Sequence, residues 1–173
     1  MSNIISGWQN SIDLPLDKLW NHNSVSYNNN LYVFGGQIND AFGRNTETFT
    51  FNGTIWTNIN HRLVYDVIYS TSVVYNNNIY LIGGFNFEDG ALNTMQVYDG
   101  NSWTTSTITL NTARFNASSI VYDNKIYIFG GEDSNSNRLN TFEVFDGIQW
   151  VLGSFYLPVA RSLLNTAVIN LNV

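Results

Sequence analysis

The feature that most constrains this chain is that it repeats itself. The stretch Ser119–Trp150, SIVYDNKIYIFGGEDSNSNRLNTFEVFDGIQW, carries an apolar strand pattern into Tyr122-Asp123-Asn124, then Ile126-Tyr127-Ile128-Phe129 and Gly130-Gly131. A polar loop follows, then Phe142-Glu143-Val144-Phe145, the turn Asp146-Gly147 and Trp150. Moved back 47 residues, the same text reads Tyr75-Asn76, Ile79-Tyr80-Leu81-Ile82, Gly83-Gly84, Val97-Tyr98, Asp99-Gly100 and Trp103. Moved back 47 or 48 more, it reads Tyr27-Asn28, Leu31-Tyr32-Val33-Phe34, Gly35-Gly36, Thr50-Phe51, Asn52-Gly53 and Trp56. Self-similarity at this period means one supersecondary unit used several times, not one irregular domain.

Each unit predicts four short antiparallel strands, a to d. In the third copy they fall near 117–122, 126–129, 141–145 and 149–152, where β-branched and aromatic residues concentrate between turn formers. The a–b turns are Asn28-Asn29-Asn30, Asn76-Asn77-Asn78 and Asp123-Asn124-Lys125, residues that accept the left-handed backbone of tight hairpins. The c–d turns are Asn-Gly once and Asp-Gly twice, the strongest short-range hairpin signal. Only the b–c connection is long and variable, so a site is expected there.

Four strands per repeat of about 47 residues, a Gly-Gly after strand b, an aromatic before the c–d turn and a Trp five residues later resemble kelch repeats. The resemblance implies an all-β fold of four-stranded antiparallel sheets, the blades of a kelch-type β-propeller. It covers nearly the whole chain as one domain: a lone strand d at 5–12, blades at 22–60, 69–107 and 117–154, and a partial blade at 163–173. The lone strand rests on Trp8, 48 residues before Trp56, and the partial blade on Val173, 47 after Ile126. Three blades and a fraction are fewer than the four to eight of a propeller ring. Two arrangements stay open: a partial propeller cut from a longer one, or a homodimer completing a ring of six blades, with the terminal strands at the seam. Self-assembly is the expectation carried forward.

Composition narrows the function. A net charge of −6 with seven basic residues leaves no basic stripe for phosphates, so neither nucleic acid nor an anionic membrane is expected as a partner. The absence of cysteine excludes disulfides and thiolate metal sites. It also excludes the cysteine–tyrosine copper site of galactose oxidase, which shares kelch-like blades. No apolar run spans a bilayer, and residues 1–6 lack a signal-peptide pattern, so a cytoplasmic location is expected. Asn52-Gly53-Thr54 and Asn116-Ala117-Ser118 match the glycosylation pattern, as chance allows in so Asn-rich a chain.

The motifs that suggest chemistry each have a plainer reading. The Gly-Gly pairs follow strands but open no helix, so they serve close backbone approach and not phosphate binding. A Trp required once per unit is packing between blades. Asp133, Asn135 and Asn137 begin like a calcium loop, but Arg138 and Val144 stand where that loop needs its glycine and its last acidic ligand. His22 and His61 are the only histidines and lie far apart. Glu88 and Asp89 are adjacent, not paired across a cleft. No cofactor and no metal are expected, and no enzyme.

What remains is a surface. In kelch propellers that bind proteins, the b–c and d–a loops gather on one face. Here the b–c loops are 37–46, 85–94 and 132–141, and the d–a loops are 57–70, 104–116 and 153–165. They hold all five arginines and several aromatics, the side chains enriched at binding hot spots. The candidate binding residues are Phe42, Arg44, His61, Arg62, Phe87, Arg114, Phe115, Arg138 and Arg161. Arg114 and Arg161 share one repeat position, at which an Arg often precedes strand a in this family; the earlier copy has Val67 there. The expected function is a protein-interaction module with a protein partner. No helical pattern for a BTB domain is present, so a ubiquitin-ligase link would need a separate subunit. The alternative is a small sugar-binding or sugar-processing protein, like the kelch-type mutarotases.

Overall fold

The computed structural model describes residues 13–16, 18–38 and 43–167. Strand β1 (Leu19–Trp20) leads into the hairpin β2 (Asn23–Tyr27) and β3 (Asn30–Phe34). Then come β4 (Gln37–Ile38), β5 (Gly43–Arg44), β6 (Glu47–Phe51) and β7 (Trp56–Arg62). The second unit runs through β8 (Thr71–Tyr75), β9 (Asn78–Ile82), β10 (Phe85–Asn86), β11 (Gly90–Ala91), β12 (Met95–Tyr98) and β13 (Trp103–Thr105). The third is β14 (Ser118–Tyr122), β15 (Lys125–Phe129), β16 (Phe142–Phe145) and β17 (Trp150–Leu152). The principal sheets are ordered β2-β3-β6-β7, β8-β9-β12-β13 and β14-β15-β16-β17, each an antiparallel meander. Among the described residues no helix is long and apolar enough to cross a membrane.

The turns dictate this regularity. Asn28 and Asn29, Asn76 and Asn77, and Asp123 and Asn124 all take positive φ, two in succession, as a type I′ hairpin requires. The register they set is the same in each sheet: Val25 faces Tyr32, Val73 faces Tyr80 and Ile120 faces Tyr127. At the c–d turns the Asp99 carboxylate accepts the N–H groups of Asn101 and Ser102 at 2.8 Å, and Asp146 accepts those of Ile148 and Gln149 at 2.9 Å. These donors hold both exposed carboxyls below the usual carboxylate range.

Adjacent sheets bury their facing sides against each other, and the contacts repeat like the sequence. One core lies between the first two blades: Tyr27, Tyr32 and Phe34 meet Ile79, Leu81, Tyr98 and Trp103. The second lies one step on: Val73, Tyr75, Ile82 and Met95 meet Ile126, Ile128, Phe145 and Trp150. The Tyr27 hydroxyl donates to the Asn77 carbonyl at 3.0 Å, and Tyr75 donates to Asn124 at 3.1 Å. The expected Trp role holds here: Trp103 Nε1 donates to Thr48 Oγ1 and Trp150 Nε1 to Met95 Sδ, each in the preceding blade. At Gly84, φ is +103° and a Cβ would sit 2.8 Å from the Ile68 carbonyl, so the second glycine of the pair lets the d–a segment lie against the sheet.

The ends differ from the expectation. Residues 163–167 are bonded to the third blade but form no strand. The expected strand at 5–12, with Trp8, and the rest of the partial blade at 168–173 lie outside the described residues.

Candidate functional site

Strands a and b run in opposite directions, so the b–c and d–a connections emerge at the same end of every blade. The b–c segments there are not the plain loops the sequence suggests. Gln37 pairs with Trp20 on one side and Arg44 on the other. Phe85 pairs with Ile68 and Ala91, and Glu132 with Phe115 and Arg138. Each blade is thus topped by a small ladder joining the residue three positions before strand a to both arms of the b–c segment. Side chains on these ladders are held by backbone bonds, a firmer base for a binding face than a free loop.

On this base an aromatic row crosses two blades. The Phe87 and Phe85 rings meet edge to face at 5.5 Å, Phe85 and Phe115 at 5.4 Å, and Phe115 lies 6.2 Å from Tyr69. Phe87, half exposed, ends the row. The Arg44 guanidinium, from the first blade, lies 4.7 Å from the Phe87 ring centroid and pairs with Asp66 at 2.9 Å. Beside the row the blades leave a cavity of about 190 Å³, lined in part by Asn21, His22, Tyr69, Ser70 and Asn116. Tyr69 takes φ +56°, a conformation rarely adopted by bulky side chains, at the repeat position where Asn21 and Asn116 do the same. Burial lowers the pKa of His22.

The candidate residues divide. Arg44, Phe87 and Phe115 come together in the row. Arg138 and Arg161 are exposed, and neither makes an ion pair among the described residues; Arg161 Nε donates to the Val159 carbonyl at 3.2 Å. Phe42 lies outside the described residues. His61 and Arg62 are not loop residues, because β7 extends to Arg62, where Arg62 pairs with Glu47 across the sheet. His61 Nδ1 lies 2.6 Å from the Tyr98 hydroxyl, which itself donates to the Gly100 carbonyl. Arg114 is no surface residue at all: it is 0% exposed and ion-paired to the equally buried Glu143 at 2.7 Å. Among the described residues, no group of three or more His, Asp or Glu side chains is arranged to hold a metal.

Tyr69 and Asp66 were not singled out by the sequence, although Tyr69 stands two residues before strand a at a position that recurs in each unit. Glu143 was hidden because it reads as an ordinary strand residue.

The model of the KLHDC2/KLHL20/DRC7 kelch-repeats domain matches residues 21–156. The chain belongs to the kelch-repeat family. Kelch architecture is visible in the solved structure of YjhT as well, which superposes with a TM-score of 0.72 at 16% identity. The match covers 86% of this kelch chain and 54% of YjhT, so the chain spans about half the length of that protein. At this identity the likeness shows the fold alone. No curated protein matches the sequence.

Tyr98, in the first kelch core, gives a pH test of that packing. Burial pushes its pKa from 10.0 up to about 12, with the nearby Tyr32, Tyr27 and Asp99 adding to the shift. The fold favours the protonated phenol, so its stabilisation is complete below pH 10 and is lost as the pH rises through about 12. The melting temperature is expected to fall across that window in step with tyrosinate absorbance. Tyr98→Phe, which cannot ionise, should flatten the fall.

Proposed function

We propose that this kelch domain is a non-enzymatic protein-interaction module whose partner lies across the loop end of the blades. The aromatic row from Phe87 to Tyr69, capped by Arg44, carries this reading. Aromatic and arginine side chains on a rigid base are the usual anchors of protein interfaces, because they combine a large contact area with groups that can pair across it. Arg138 and Arg161 add exposed cations without partner carboxylates among the described residues. The alternative, a sugar-binding or sugar-processing site, has in its favour the polar cavity beside the row. Its volume of about 190 Å³ falls short of the roughly 300–1,000 Å³ usual for small-molecule sites, which at this end of the blades favours a protein partner.

A peptide library displayed on phage provides the test. The wild-type domain is expected to enrich a sequence motif, and Phe87→Ala to weaken binding of that peptide by about 1–3 kcal/mol with little change in melting. Arg138→Ala should act in the same direction. A melting loss as large as that of a core variant, or enrichment unaltered by Phe87→Ala, would contradict a binding role for the row.

A further inference from the structure

We propose that the open flank of the third blade docks the first blade of a second copy of this chain, head to tail. The two flanks inside the molecule show what such a flank accepts. Tyr27 and Tyr75 are each 4% exposed, with hydroxyls on the next blade's a–b turn; Tyr122, their counterpart, is 57% exposed. Beside it runs a groove of about 610 Å³ between Ile120, Tyr122, Tyr127 and Phe129 on the blade and Asn165, Thr166 and Ala167 on the segment that follows it. In the first blade the corresponding wall, Tyr27, Tyr32 and Phe34, is covered by Ile79, Leu81, Tyr98 and Trp103.

The first blade carries the matching cover on its own outer face. Leu31 stands where Ile79 and Ile126 stand, yet is 38% exposed where they are 0%. Phe51 and Trp56, half-buried, repeat the pairs Tyr98–Trp103 and Phe145–Trp150. Asn29 has φ +60°, as Asn77 has +57° and Asn124 +51°, so its carbonyl is turned to accept the Tyr122 hydroxyl. The interface is therefore a third use of one the molecule already makes twice. Residues 163–167 now hold its innermost slot through Leu163 N–H to the Asn116 carbonyl and Thr166 to Ser118 and Ser119. They form no ladder, and β2 of the second copy, already laddered to β3, takes their place. A heterologous contact of this kind closes when the rotation allows.

Sedimentation of the 173-residue chain tests this. The expected species at micromolar concentration has twice the 19.6 kDa chain mass. Tyr122→Asp and Leu31→Asp should each give monomer, since each spoils one side of both seams. Mixed together, the two variants regain one intact seam, and pairing should return in weaker form. Removing Leu163–Val173 should leave pairing as tight or tighter. A monomeric wild type, or a pair that Tyr122→Asp breaks and Leu31→Asp does not, would overturn the proposal. So would a mixture that stays monomeric, or a truncation that abolishes pairing.

Discussion

Arg114→Val is expected to cost about 3–5 kcal/mol, the usual effect of removing one partner of a buried ion pair. Glu143 is fully buried and its two oxygens take four donors: Thr112 N–H at 3.0 Å, Arg114 Nη2 at 2.7 Å, and Asn111 N–H and Nδ2 at 2.7 and 2.9 Å. Arg114 also donates to the Gly130 carbonyl at 2.9 Å, so it ties the d–a segment to both middle strands of the third blade. Burial lowers the pKa of the guanidinium and Glu143 opposes that shift. Without the arginine, a buried carboxylate would face only neutral donors. The second blade already contains the remedy: Val67 stands at the position of Arg114, and Gln96 at that of Glu143, accepting the Val64 N–H at 2.7 Å. Arg114→Val with Glu143→Gln should therefore recover most of the loss, a coupling that a double-mutant cycle in urea measures directly. A single variant as stable as wild type would show that the pair is not held as described.

What the sequence disclosed and what it withheld follow from one distinction. Features set by neighbours along the chain were legible: the paired left-handed residues of Asn28-Asn29, the Asx turn at Asp99, the strand alternation around Tyr127. So were features that recur in phase, because Trp103 and Trp150 mark inter-blade packing by repetition alone. Features set by distant partners were not. Two-residue strands such as Phe85–Asn86 have no periodicity to detect, and exist because Ile68 lies alongside. Arg114 looked like a surface cation because its acid lies 29 residues on, inside a strand. Strand β7 outran its expected end because a bulge between Glu47 and Phe49 lets Glu47 reach Arg62, which placed His61 and Arg62 in the sheet. The aromatic row was half legible: Phe87 and Phe115 were candidates, whereas Phe85 and Tyr69, also in the expected loops, join them only through the fold.

The second large effect is expected from Trp103→Ala, at about 3–5 kcal/mol for truncation of a buried aromatic. Trp103 is 6% exposed, with its ring 4.9 Å from Phe34 of the preceding blade and 5.2 Å from Tyr98 of its own. The lost indole would leave a cavity between two blades and strand the Thr48 hydroxyl, itself fully buried, without its donor at 2.9 Å. That is a large part of the roughly 5–15 kcal/mol that holds a domain folded. Trp56 makes an informative control. It occupies the same repeat position on the first blade but is only half-buried, so in dilute monomer Trp56→Ala should cost roughly half as much, in proportion to the apolar area withdrawn from water. Under conditions where two copies pair, the deficit of Trp56→Ala should grow, because pairing buries its ring. Thermal and urea melts of both variants at low and high concentration separate these contributions. Equal losses at every concentration would mean that the two tryptophans sit in equivalent surroundings, and that the first blade has no open face.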